Sequence, residues 1–165
     1  MEKHSLFRSD KILDEIYKRN VNRVYRLCYM YLKNTTDAED AVQSVFLKLI
    51  KSNITFNDHE HEKAWLIITS KNYCKDVFKS FWRSHRVAAY SLPEILNNQK
   101  QPGEVMEKLL ALPEKYKTVL YLYYFENYRV KDISRLLNRN ESTIQTHLAK
   151  GRERLKIDLG GNFYE

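Results

Sequence analysis

Residues 130–156 read VKDISRLLNRNESTIQTHLAKGRERLK, and this stretch decides the fold. It opens as a short amphipathic helix, breaks over Asn138-Arg139-Asn140, and resumes as a longer helix that is polar and basic on one side. That pattern is a helix-turn-helix, in which the second helix is shaped to enter a major groove. Asn140 is a suitable N-cap, and Ile144, Leu148 and Leu155 keep an apolar face toward the first helix of the pair. Ser142, Gln145, Thr146, Ala149 and Lys150 are left on the outward side. Gln can pair with adenine, Thr and Ala can touch a thymine methyl, and Lys can meet guanine or a phosphate. An ordinary surface helix would show the same polar face. The short helix and three-residue turn ahead of it favour DNA reading.

Working outward, four Gly and three Pro in 165 residues leave little punctuation, and no strand-like alternation persists, so the chain is predicted to be all-α. Residues 84–103, SHRVAAYSLPEILNNQKQPG, carry two of the prolines and little charge, and read as a flexible linker. It separates a helical domain over 1–83 from a second over 104–158, with a short tail at 159–165. In the first domain, Ile12, Ile16, Val24, Leu27 and Tyr31 form one stripe over about 10–33, with a break expected near Asn20. Thr36-Asp37-Ala38-Glu39 reads as a capping box, and Val42, Val45, Phe46, Leu49 and Ile50 as the core stripe behind it. A polar stretch over 52–62 leads into a long helix over about 60–83.

In the second domain Pro113 is expected at the first position of a helix that Val119, Leu120, Tyr123 and Tyr124 carry to Glu126. Asn127 and Asn138 stand where a glycine would usually stop a helix, and asparagine tolerates the left-handed conformation. Gly151 should weaken its helix by about 1 kcal/mol unless something packs closely against it.

The net charge of +7 is spread over both domains: 15 Lys and Arg against 11 Asp and Glu in residues 1–85, and 11 against 9 in residues 104–165. An anionic partner suits this balance, though its placement matters more than its size. Lys71, Lys75, Lys79 and Arg83 recur every four residues along the long helix, with Asn72, Tyr73 and Trp82 beside them. Such a face can hold a phosphate backbone and a stacked, unpaired base, or it can simply be solvated. The acidic group Asp37, Glu39 and Asp40 with Gln43 is explained equally by the helix dipole and by docking to a basic protein.

Paired carboxylates beside a histidine motif, a Gly-rich phosphate loop and a nucleophile elbow are all absent, so neither enzyme activity nor a cofactor is expected. His59 and His61 alternate with acids in a polar loop without further ligands, which favours a solvated loop over a metal site. Cys28 and Cys74 have no CxxC partner and read as buried hydrophobes. Apolar runs such as Ala64–Ile68 fall far short of the roughly 18 residues of a membrane span, so no membrane insertion is expected. The opening MEKHSLFRSD has no apolar signal core, and a cytoplasmic location is expected.

Three stretches in order resemble the small two-domain sigma factors of the extracytoplasmic-function group, within the bacterial sigma-70 family. VYRLCYMYLKNTTDAEDAVQSVFLKL (24–49) is similar to the family's second region. WLIITSKNYCKDVFKS (65–80) is similar to its minus-ten-reading segment, and residues 112–155 to its fourth region, which reads the minus-thirty-five element. The resemblance spans about Tyr17 to Lys156 and implies binding to core RNA polymerase, direction of that enzyme to promoter DNA, and help in opening the duplex. It places Asp37, Glu39, Asp40 and Gln43 on the polymerase-docking surface. Lys71, Asn72, Lys75 and Lys79 fall in the minus-ten segment and Arg83 continues its basic stripe just beyond, with Asn72 beside a pocket for a flipped base and residues 56–63 contributing to that pocket. Ser142, Gln145, Thr146, Ala149 and Lys150 fall on the minus-thirty-five recognition helix.

An anti-sigma factor, the family's usual inhibitor, is raised as a further partner. The chain departs from the family at Gln145, where Arg or Lys is frequent, at Ser142, and in the His- and acid-rich loop before the long helix. These departures point to a different base preference. A stand-alone helix-turn-helix regulator remains the alternative within DNA binding. A helical adaptor with solvated basic faces is the alternative outside it.

Overall fold

The computed structural model describes residues 2–84 and 104–158, with side chains over 10–80 and 107–156. Most of the expected linker, the 159–165 tail and the side chains of Trp82 and Arg83 lie outside the described residues. Among the described residues the secondary structure is helical: α1 (Glu2–Leu32), α2 (Thr35–Ser52), α3 (His59–Ser84), α4 (Glu104–Ala111), α5 (Glu114–Tyr124), α6 (Val130–Leu137) and α7 (Glu141–Asp158). These helices fall into two compact units, α1–α3 and α4–α7.

In the first unit α1 runs unbroken through Asn20. Ile16, Asn20, Val24, Leu27, Cys28 and Tyr31 form its buried stripe. The expected break does not occur because the Asn20 amide, though polar and 1% exposed, donates to Ile16 O at 3.0 Å and to Glu62 Oε1 at 2.6 Å. Its burial therefore leaves the donor satisfied. Lys33 takes a left-handed φ of 62°, and the chain folds back into α2.

The cap of α2 is Asn34, not Thr36. Asn34 Oδ1 accepts from Asp37 N at 2.7 Å, and Asn34 Nδ2 donates to Asp37 Oδ2 at 2.6 Å. The helix therefore begins two residues earlier than the capping-box pattern suggested.

Val42, Val45, Phe46 and Leu49 are buried, as the periodicity predicts, but Ile50 is 54% and Ile12 50% exposed. Ile50 follows Leu49 by one residue, about 100° around the helix, and so leaves the buried face. Ile12 lies where α1, at 31 residues, outruns the 18 residues of α2 folded against it. Tyr17 already meets Phe46, near the far end of α2, ring to ring at 4.9 Å. Cys28 and Cys74 are buried thiols of the core.

In the second unit Pro113 is the N-cap rather than the first helical residue of α5, and its carbonyl accepts from Tyr116 N and Lys117 N. α5 stops at Tyr124. Tyr121 and Leu122 are its buried residues near that end, whereas Tyr123 and Tyr124 are exposed. Asn138 caps α6 with a left-handed φ of 52° and stops it as a glycine would; Asn127 also takes a left-handed φ, 58°, but in the turn after α5, whose C-cap is Phe125. α7 carries Ile144, Leu148, Gly151 and Leu155 on its buried face, against α5 and α6.

Candidate nucleic-acid and polymerase interfaces

The turn between α6 and α7 is built by the sequence that predicted it. Asn138 N donates to Arg135 O at 3.3 Å, Arg139 N donates to Ser134 O at 3.0 Å, and the Ser134 hydroxyl donates to Arg139 O. The carbonyl of Asn140 accepts from Ile144 N at 3.1 Å and starts α7. Ile133 of α6 is fully buried, as are Ile144 and Leu148 of α7, so the two helices grip through one apolar seam.

On the opposite side Ser142, Gln145, Thr146, Ala149 and Lys150 are all exposed. At 100° per residue Ser142, Thr146 and Ala149 occupy the middle of that face, with Gln145 on one flank and Lys150 on the other. Thr146 Oγ1 donates to Ser142 O at 2.9 Å, so its hydroxyl proton is engaged and its methyl group remains for contact. Behind the face, His147 stands edge-on to Tyr116 at 5.7 Å. Burial, then the charges of Lys115, Arg139 and Lys150, hold its imidazole below its usual range. Those cations mark a positive field around the helix-turn-helix.

In the first unit α3 presents a continuous row. His61, Trp65, Ile68, Asn72, Lys75 and Lys79 follow one another at three- and four-residue steps and share one face. Asn72, Lys75 and Lys79 are exposed, while Lys71 lies at the edge of the row and is half-buried. Tyr73 is turned away from it: its hydroxyl accepts from Ser44 Oγ of α2 at 3.3 Å.

The loop before α3 closes onto the N-terminal end of this row. Asp58 caps the helix, its Oδ1 accepting from His61 N at 2.7 Å, and His61 Nδ1 accepts from Asn57 N at 3.2 Å. Phe56 then packs edge-on against His61 at 5.3 Å and against Trp65 at 5.9 Å. Trp65 and Asn72, seven residues apart, sit about 10 Å apart along the helix axis. A planar base reaching Asn72 would have aromatic rings two turns away on the same side. Sequence reasoning placed residues 56–63 at this site by resemblance, but not Trp65; its seven-residue spacing from Asn72 was the available signal.

The acidic group divides. Asp37, Glu39, Asp40 and Gln43 are all exposed, and Asp40 and Gln43 share the outward face of α2. Glu39 sits on one flank, and Asp37 lies on the other with its carboxylate engaged in the Asn34 cap. No metal-binding group of three or more His, Cys, Asp or Glu occurs among the described residues, and no helix there is long and apolar enough to cross a membrane.

A helical unit with a basic, aromatic-ended face, joined in one chain to a helix-turn-helix unit, defines a DNA-binding protein of two modules. Known proteins place it more narrowly. The Sigma-70 region 2 family matches residues 16–86, and the Sigma-70, region 4 family matches residues 103–155. Two Bacillus subtilis relatives, the ECF RNA polymerase sigma factors SigW and SigM, are each 28% identical to it. The SigW match covers 88% of this chain and 86% of the relative; the SigM match covers 87% and 93%. The fold is similar, at a TM-score of 0.74 and 14% identity, to that of the sigma factor RpoE solved with the anti-sigma factor NepR from Bartonella quintana. That likeness covers 93% of this chain and 99% of the other.

The chain belongs to the sigma-70 family, in its extracytoplasmic-function group. It is an alternative sigma factor of RNA polymerase, and a stand-alone helix-turn-helix regulator is not favoured.

Proposed function

We propose that the two units divide the work of promoter recognition. The α7 face, through Ser142, Gln145, Thr146, Ala149 and Lys150, reads duplex DNA at the minus-thirty-five element. The α3 face, through Lys71, Asn72, Lys75, Lys79 and Arg83, holds the minus-ten strand. There the unpaired base sits near Asn72, with Phe56 and Trp65 as its aromatic neighbours. Removing a base from the stack costs a few kcal/mol, and a site that binds the extruded base offsets part of that cost during opening. Asp40 and Gln43, flanked by Glu39 and Asp37, dock on core RNA polymerase. The protein acts in the cytoplasm as an initiation factor and performs no chemical step of its own. An anti-sigma factor is a further partner, a proposal supported by the RpoE–NepR complex.

The observation that carries this reading is the row from Phe56 and Trp65 through Asn72 to Lys79. It joins half-buried aromatic rings, an exposed amide and exposed cations on one side of α3. Run-off transcription with core polymerase on genomic fragments tests it and yields the promoter sequence. Discrete start sites that vanish without the protein are expected. A folded chain that neither associates with core polymerase at low salt nor produces them would sink the reading.

A further inference from the structure

The first turn of α3 carries a charged side chain where its buried row calls for an apolar one. Glu62 precedes Leu66, Thr69 and Ser70 on that row, and its side chain is 6% exposed. Arg19 meets it with two prongs, Nε to Oε1 at 3.0 Å and NH2 to Oε2 at 2.8 Å, and Asn20 Nδ2 adds a third bond at 2.6 Å. Arg23 in turn donates from NH1 to Asn20 Oδ1 at 2.6 Å. An apolar residue at 62 could fill the same space, and buried ion pairs contribute little net stability against such a replacement. A two-pronged guanidinium–carboxylate contact does what apolar packing does not: it fixes rotation as well as distance. The neighbouring residue, about 100° around the helix, is His61, which with Asp58 ties the same turn to the loop carrying Phe56.

We infer that Arg19, Asn20 and Glu62 are positioning residues for minus-ten base capture, setting the rotation of the first turn of α3 and so the aim of Phe56, His61 and Trp65. None of the three needs to touch DNA. The inference rests on the reading of the Asn72 face as the base-capture site.

The test uses holoenzyme assembled from core polymerase and the full chain, on a promoter fragment recovered by run-off transcription. A fluorescent aminopurine replaces each minus-ten base in turn and brightens when that base leaves the stack. The Arg19→Met/Glu62→Leu double variant keeps the crossing filled while removing the fork. Its thermal midpoint and polymerase affinity are expected to match the parent. Its aminopurine signal should rise about tenfold more slowly, within the range over which remote residues modulate a coupled site. Arg19→Lys, which keeps the charge but not the two prongs, is expected to slow the signal in the same direction.

A double variant that folds and captures the base at the parent rate overturns the inference. Should the double variant melt below the assay temperature, Arg19→Lys decides by the same criterion. Asn72→Ala runs alongside to separate the two failures. If it slows capture and the latch variants do not, the latch fails alone. If it has no effect either, the base-capture reading fails and takes the latch with it.

Discussion

Gly151 of α7 lies so close to Leu120 of α5 that a methyl group at position 151 would stand 2.9 Å from Leu120 Cδ1 and 3.2 Å from its Cγ. Leu120 is 2% exposed and has little room to move aside. Alanine at 151 would improve helix propensity by about 1 kcal/mol. Overpacking against a buried leucine costs about 1–3 kcal/mol and outweighs that gain. Gly151→Ala is therefore expected to lower the thermal midpoint of the full chain. On a Leu120→Ala background the clash disappears and the same substitution should stabilise. Calorimetry on the four chains checks the reversal of sign, and a stabilised Gly151→Ala single variant would remove the packing argument.

Much of this architecture is legible in the sequence, and the errors share a cause. The stop at Asn138 and the α7 core row of Ile144, Leu148 and Leu155 follow from local chemistry and occur as expected, while α5 ends at Tyr124, ahead of the left-handed Asn127. Ile12 is misjudged because periodicity does not say where the partner helix ends, and Ile50 because it stands beside the buried face rather than on it. At Asn20, read as a break, polarity within a stripe is compatible with burial once a partner exists, and that partner is 42 residues away. The Arg19–Glu62 pair spans 43 residues and has no local signature beyond an acid on a core row. In the candidate sites the outward α7 residues and the exposed Lys75 and Lys79 are readable from spacing, whereas Lys71, counted on the same stripe, lies half-buried at its edge and Tyr73, expected beside it, turns away. That Phe56 folds back to Trp65 is not, since it depends on a loop closing on its own helix.

Asp40 is a cleaner probe of the acidic surface than Asp37. Charge reversal at Asp37 would also remove the Asn34 Nδ2–Asp37 Oδ2 bond that braces the cap and place a cation in the first turn of α2, and so confuse docking with folding. Asp40 is exposed on the outward face of α2. Asp40→Lys is expected to leave the thermal midpoint unchanged and to weaken association with core polymerase about tenfold or more, since like charges facing across an interface cost several kcal/mol. Titration of labelled chain with core enzyme measures this, and unchanged affinity removes the docking assignment.

Lys150 flanks the outward face of α7 in a field shared with Lys115 and Arg139; burial first, and then these three cations, depress the His147 imidazole. A lysine contact to guanine is worth about 1–3 kcal/mol, one to phosphate weakens binding on every sequence when lost, and reversing the charge adds repulsion from the backbone. Lys150→Glu is expected to reduce promoter-directed transcription more than tenfold while binding to core polymerase survives. Both are measured on one preparation by run-off assay and by titration. Parent-level transcription would deny this helix a DNA-reading role.

Acid titration separates the two halves of the α1–α3 latch. Burial alone would raise the Glu62 carboxyl. Hydrogen bonds from Arg19 and Asn20, with the Arg19 charge, outweigh it and hold the group below its ordinary value of 4.5. The contribution of Glu62 to stability is therefore complete above that value and is lost as pH falls through the lower folded one. Removing either partner is not symmetrical. Without Glu62, Arg19 reaches water, its side chain being 39% exposed, and the loss should be about 1 kcal/mol. Without Arg19, the carboxylate is left buried, a situation that costs about 3–5 kcal/mol when a buried pair is broken. Arg19→Met should thus destabilise the first unit more than Glu62→Gln at neutral pH. Its carboxyl, having lost the Arg19 hydrogen bonds and charge while staying buried, should titrate higher than in the parent, so the deficit against the parent narrows as the solution is acidified. Urea unfolding across the acid range measures both effects. A deficit that is equal for the two variants, or constant with pH, would show that the pair does not carry its charge in the folded chain.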